Sequence, residues 1–232
     1  MTEPVEIGIL LFPKVTQLDA TGPAQVLSLV PGARVHMIWK TLDPVPTDAG
    51  FSIMPTTTFA QCPRLDVICV PGGAGQVELM VDRETLDFLR RQAETARYVT
   101  SVCTGSLVLG AAGLLRGYRS ACHWAWREML ADFGAVPVAE RVVRDRNRIS
   151  GGGVTAGIDF GFTVAAELVG EEAARSIQLM LEYDPHPPFD SGSPEKAGAE
   201  RVKRLRERMA PMLENRRKAN AEAAARLEQA AS

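Results

Sequence analysis

Tyr98-Val99-Thr100-Ser101-Val102-Cys103-Thr104-Gly105-Ser106 reads as an apolar strand that ends on a cysteine, with small residues carrying the chain straight into a helix. This is the layout of a nucleophile elbow, where a tight strand-to-helix turn presents one side chain at the carboxyl edge of a sheet. Gly105 and Ser106 let the backbone fold tightly there. The helix expected over Thr104–Leu115 would place partial positive charge beside Cys103 and favour thiolate over thiol. Most free cysteines are small buried hydrophobes; the position at a strand end is what singles this one out.

Outward from the elbow, β-rich runs alternate with helical stretches. Val5–Leu11 is apolar except for Glu6 and Gly8, as expected of a strand buried on both faces. Arg34–Trp39, Asp66–Val70 and Arg97–Val102 are further strands, with shorter β-like runs at Arg119–Ala121, Glu140–Val143 and Arg148–Ser150. Helices are expected over Pro23–Leu29 (capped at Thr21 or Gly22), Glu84–Thr95, Ala125–Phe133, Ile158–Val169 and Glu171–Leu181. The alternation predicts an α/β layer fold with a mostly parallel central sheet over residues 1–194.

From Asp184 a Pro- and Ser-rich connector leads into a helical extension over residues 195–232. Its ten basic and six acidic residues read as a solvated helix face. Val202, Leu205, Met209 and Met212 recur at helical spacing, so its first half is expected to dock, and Pro211 should kink or break it.

Composition narrows the function classes. The chain has 232 residues, 46% hydrophobic and 23% charged, with a net charge of −2. That balance disfavours nucleic-acid or membrane-surface binding through bulk charge, and no apolar run reaches the ~20 residues that span a bilayer. Met1–Glu6 lacks the basic start of a secretory signal. Cys62, Cys69, Cys103 and Cys122 form no C-x-x-C pair, so neither a zinc ribbon nor a disulfide framework is indicated. The expected compartment is the reducing cytoplasm.

Three other segments fall where an α/β sheet builds its site. Pro71-Gly72-Gly73-Ala74-Gly75 follows a strand and is either a simple tight turn or, paired with Cys103, an oxyanion-type pocket with amides at Gly72 and Gly73; as a phosphate loop it lacks the following Gly-Lys-Ser/Thr. Asp19, in Gln17-Leu18-Asp19-Ala20-Thr21-Gly22-Pro23, is either a helix-start capping residue or a carboxyl group aimed at the same edge, where partial burial would raise its pKa. Gly151–Gly157, with Val154 in its middle, is either a close backbone approach to that edge or a flexible turn. His123 could pair with Cys103, or simply be satisfied in a turn beside Trp124 and Trp126.

Together these segments resemble the ThiJ/PfpI superfamily, part of the class I glutamine-amidotransferase-like group, and most closely its isocyanide hydratase branch. The matching pieces are Leu18–Pro23, Pro71-Gly72-Gly73, Ser101–Ser106, His123-Trp124, Gly151–Phe160 and Gln178–Tyr183. The resemblance implies a flavodoxin-like three-layer sandwich, a homodimer, a catalytic cysteine at Cys103 and an acidic partner at Asp19. Thr104 stands where the peptidase-like branch has histidine, which argues against a protease triad and makes His123 a minor candidate. The implied reaction adds water to an isocyanide: Cys103 attacks the terminal carbon, Asp19 manages the protons, and amides near Gly73 and Thr104 orient water or the thiolate. No metal, nucleotide or organic cofactor is expected.

Two rivals share these signatures. The ligand-sensing domain of AraC-type regulators carries similar Cys-Thr-Gly and His-Trp motifs, ahead of a DNA-binding domain for which residues 195–232 are a poor fit. A redox or stress-response protein would use Cys103 as an oxidation target.

Overall fold

The computed structural model describes residues 4–231. Seven strands form the central sheet: β1 (Val5–Leu10), β2 (Ala33–Trp39), β3 (Thr57–Thr58), β4 (Val67–Val70), β5 (Tyr98–Val102), β6 (Val142–Asp145) and β7 (Arg148–Gly151). Their order is β6-β7-β5-β4-β1-β2-β3, parallel throughout except for the β6–β7 edge hairpin. The innermost strands are the most apolar, as burial on both faces requires: Ile7, Ile9, Leu10, Val67, Ile68, Cys69 and Val70 are all fully buried.

Helices flank the sheet in two packed groups. One comprises α1 (Gln17–Leu27), α4 (Ala156–Val169) and α5 (Glu171–Met180); the other comprises α2 (Arg83–Ala93), α3 (Gly105–Ala111) and the long α6 (Ala199–Ala231). The expected three-layer α/β sandwich is therefore present. A 3-10 segment, Arg127–Phe133, stands where an ordinary helix was expected, and α3 is shorter than its apolar run suggests.

Two helical expectations are corrected. α1 begins at Gln17, with Pro23 inside it rather than at its start. Tertiary packing overrides the proline: Gly157 and Gly161 of α4 face Pro23 and Val26, and a Cβ at position 161 would lie 2.9 Å from that of Val26. The approach of the two helices is close enough to hold α1 in shape despite one missing hydrogen bond.

The C-terminal helix also runs on through Pro211, and its second half does most of the docking. Of the expected stripe, Met209 packs against the core and Val202 is half-buried, whereas Leu205 and Met212 are 39% and 51% exposed. The buried face is instead Arg216, Asn220 and Ala223, with Leu213 and Leu227 packed beside them. Asn220 donates to the Met129 carbonyl and to Asp132, so polar and small residues dock the helix, which a search for large apolar side chains overlooks.

Candidate active site

The strand register brings the carboxyl ends of β1, β4, β5 and β7 side by side, and the four candidate segments leave from those ends. Cys103, directly after β5, has φ 57°, a left-handed conformation that costs a residue with a side chain ~1–2 kcal/mol. Its N–H donates to the Gly151 carbonyl at 3.1 Å, and Ser106 Oγ donates to the Cys103 carbonyl at 3.1 Å. Gly105 seats the turn against β4: a Cβ there would lie 1.9 Å from the Val70 carbonyl oxygen. The elbow read from the sequence is thus present, held by its neighbours on both sides.

Asp19 lies in the first turn of α1 and is fully buried. Its carboxylate does not cap the helix; Oδ2 accepts the Gly72 N–H at 2.9 Å. The Thr16 N–H donates to the Gly72 carbonyl at 2.9 Å, tying the loop after β1 to the loop after β4. Gly72 fits only because it has no side chain, since a Cβ would stand 2.6 Å from the Thr104 nitrogen and 2.8 Å from Asp19 Oδ2.

Burial raises the Asp19 pKa to about 7, against the lowering effects of the Gly72 N–H and of the Cys103 thiol beside it. Oδ1 is buried with no hydrogen-bond partner of good geometry. Cys103 does not have the low pKa expected from its helix. Burial, reinforced by the Asp19 charge, pushes the thiol well above its usual value, and the Thr104 N–H offsets only part of this. The amide end of α3 is thus outweighed by desolvation. Near neutrality a partly protonated carboxyl therefore stands beside a thiol reluctant to lose its proton to water.

Gly72 and Gly73 also differ from expectation. Their amides are occupied, Gly72 by Asp19 and Gly73 by Thr104 Oγ1 at 3.2 Å, so they position the site instead of forming an open oxyanion pocket. The Thr104 N–H is the amide that faces the sulfur.

Cys103 and Thr104 open onto a cavity of about 350 Å³ whose walls include His123, Trp126, Val154 and Arg216. Val154 and His123 thus sit where the sequence suggested. His123 makes no Cys–His pair: burial and then the Arg216 charge push its pKa down to about 4, and Nδ1 accepts the Ala125 N–H. It stays neutral. Among the described residues no group of three or more His, Cys, Asp or Glu is placed to hold a metal ion, and no helix is long and apolar enough to cross a membrane.

The tail's share of the cavity was missed in the sequence. Met209, Met212, Asn215 and Arg216 all line it. The available signal was an arginine falling on the same helical face as Leu213, Asn220 and Ala223.

Comparison with known proteins agrees with this geometry. The DJ-1/PfpI family model matches residues 5–167. The chain is 58% identical over 223 residues to the isonitrile hydratase of Pseudomonas putida, covering 96% of this chain and 98% of that protein. A ThiJ/PfpI family protein from Pseudomonas syringae, of known crystal structure, superposes with a TM-score of 0.90 at 46% identity, over 97% of this chain and 91% of that one. The HTH-type transcriptional regulator GbdR of Pseudomonas aeruginosa is 32% identical over 78% of this chain, which spans only 51% of the regulator. With the elbow, the sheet order and the motif sequence all in place, the chain belongs to the DJ-1/PfpI family.

Proposed function

We propose that this protein is an isocyanide hydratase, converting R–N≡C and water to the N-substituted formamide through a covalent bond to Cys103. The observation that carries the reading is the buried Asp19 carboxyl, fixed by the Gly72 N–H against the Cys103 thiol at the strained elbow. The near full-length identity to a protein named isonitrile hydratase supports it.

The terminal isocyanide carbon accepts a nucleophile and then a proton, and the Cys103–Asp19 pair supplies both. As sulfur attacks, its proton passes to the Asp19 carboxylate and on to the same carbon, giving the thioimidate R–N=CH–S–Cys103. Asp19 then draws a proton from water as the oxygen adds to that carbon and passes the same proton to the nitrogen, giving R–NH–CH(OH)–S–Cys103. Breaking the C–S bond releases R–NH–CHO and returns the hydroxyl proton to the Asp19–Cys103 pair. The Thr104 N–H steadies negative charge on sulfur at both ends of the cycle. Val154, Trp126 and Met212 offer an apolar wall for R. The pair and the surrounding amides accomplish this without drawing on a metal or organic cofactor.

The decisive assay is formamide production by the purified chain with one alkyl and one aryl isocyanide. Turnover above the buffer rate supports the reading; no formamide from either overturns it and favours the ligand-sensing role suggested by the regulator relative.

The functional unit in this reading is a cytoplasmic homodimer. Leu179 and Met180 on α5 and Phe189 beyond it are 81%, 71% and 79% exposed, apolar side chains that a second copy of the chain would cover. Sedimentation at micromolar concentration should give a dimer, and a monomer would refute this part.

A further inference from the structure

The C-terminal helix brings a charge to the site. Arg216 is only 5% exposed. Its Nε donates to Gln76 Oε1 at 2.7 Å and Nη2 to the Gly73 carbonyl at 3.4 Å, while the guanidinium lies 4.2 Å from the Trp126 ring centre. Gln76 and Gly73 belong to the segment that carries Gly72, so these contacts fix the cation relative to the amides holding Asp19 and Thr104. The guanidinium lines the same cavity as Cys103.

What Arg216 lacks is an anion. The nearby tail cations Lys218 and Arg226 pair with Glu214 and Glu222 on the helix surface; among the described residues Arg216 pairs with no carboxylate. A buried, uncompensated cation is costly to a fold, and one kept in a reaction cavity points to a negative charge that arises there during the reaction. Arg216 shares its cavity with Cys103, and its charge is felt by Cys122, Cys103 and the neutral His123. Of these, Cys103 stands at the elbow beside a carboxyl able to take its proton.

We propose that Arg216 is the counter-cation of the Cys103 thiolate, a permanent positive charge inserted by the C-terminal helix to stabilise the state in which the thiol proton has moved to Asp19. This rests on Cys103 being the nucleophile. The other titratable or charged groups around the sulfur are Asp19, Cys122 and the neutral His123; Lys14 and Glu78 lie on the cavity wall but are exposed to water. With the amide end of α3 outweighed by desolvation, the tail cation fills that role. The shared sandwich alone then lacks the activating charge: the family match ends at residue 167, before α6 begins. The P. putida hydratase aligns over 96% of this chain, which leaves too few residues outside the alignment to omit the helix.

The test is the pH dependence of Cys103 alkylation by iodoacetamide in the full chain, read by peptide mass spectrometry. Arg216→Met should fold, because an apolar chain replacing an unpaired buried cation is often neutral or stabilising; Arg216→Gln is the second charge-removing variant. Each should move the alkylation midpoint up by about one pH unit and slow labelling below it about tenfold. Asn220→Ala, which loosens the same helix without touching the charge, should leave the midpoint in place. An unchanged midpoint in the Arg216 variants, or an equal shift in Asn220→Ala, overturns the proposal. Alkylation reads the sulfur directly, so the answer does not depend on whether the chain hydrates isocyanides; formamide production by the unmodified chain reports on that separately.

Discussion

Asp19→Asn separates proton transfer from structure in a single variant. Asn can still accept the Gly72 N–H but cannot cycle a proton, so hydration should fall about 10²–10⁴-fold, the usual contribution of a general acid–base group. Stability should move the other way as pH rises. The Asp19 pKa is near 3.8 in the unfolded chain and about 7 in the native one, so the folded state binds the extra proton between those values. Native stability is therefore lost as pH climbs through that window, by about 2–3 kcal/mol between pH 5 and pH 8 from this one group. Other groups titrate in both proteins and cancel in the comparison. Urea denaturation at the two pH values should thus show Asp19→Asn gaining ~2–3 kcal/mol relative to the unmodified chain on going to pH 8. Equal pH slopes in the two proteins would refute the raised carboxyl, and near-normal turnover would refute its catalytic role.

Two further outcomes follow from the same geometry. The kcat/KM of the unmodified chain should rise with pH through about 7, as Asp19 gives up the proton that blocks it, and then stay level, because the Cys103 thiol ionises only well above its usual value; a maximum in acid would contradict the assignment. Gly72→Ala would drive a methyl group against the Thr104 amide and Asp19, so it should cost ~1–3 kcal/mol in thermal or urea stability and most of the activity, and an unperturbed variant would show that the Gly72–Asp19 contact is dispensable.

Much of the fold was legible because its signals are local. Val5–Leu10 and Val67–Val70 are apolar runs of strand length, and the strand–Cys–small residue–helix pattern at Val102–Ser106 has few other readings. The start of α1 was misplaced because Pro23 is a strong local stop signal, overridden by close packing on the glycines of α4. The docking face of the tail was misread because Arg216 and Asn220 are polar in composition yet buried in place, where hydrogen bonds to Gln76 and Met129 repay their desolvation. The identity of the site residues could be read from the sequence, but their electrostatics could not. A helix terminus suggests an acidified thiol, whereas the fold shortens that helix, buries the sulfur and sets a buried carboxyl beside it. Likewise the Gly72 and Gly73 amides looked free in sequence and are occupied in three dimensions by Asp19 and Thr104, residues from two other loops.

Covalent catalysis through Cys103 stands or falls on formamide production by Cys103→Ala, measured by proton NMR against the unmodified chain. The elbow offers no other nucleophile of comparable strength: Ser106 Oγ donates to the Cys103 carbonyl, and the Thr104 hydroxyl oxygen accepts the Gly73 N–H. Cys103→Ala should fold normally and give a rate no greater than that of isocyanide in buffer. Turnover near that of the unmodified chain would refute Cys103 as the nucleophile.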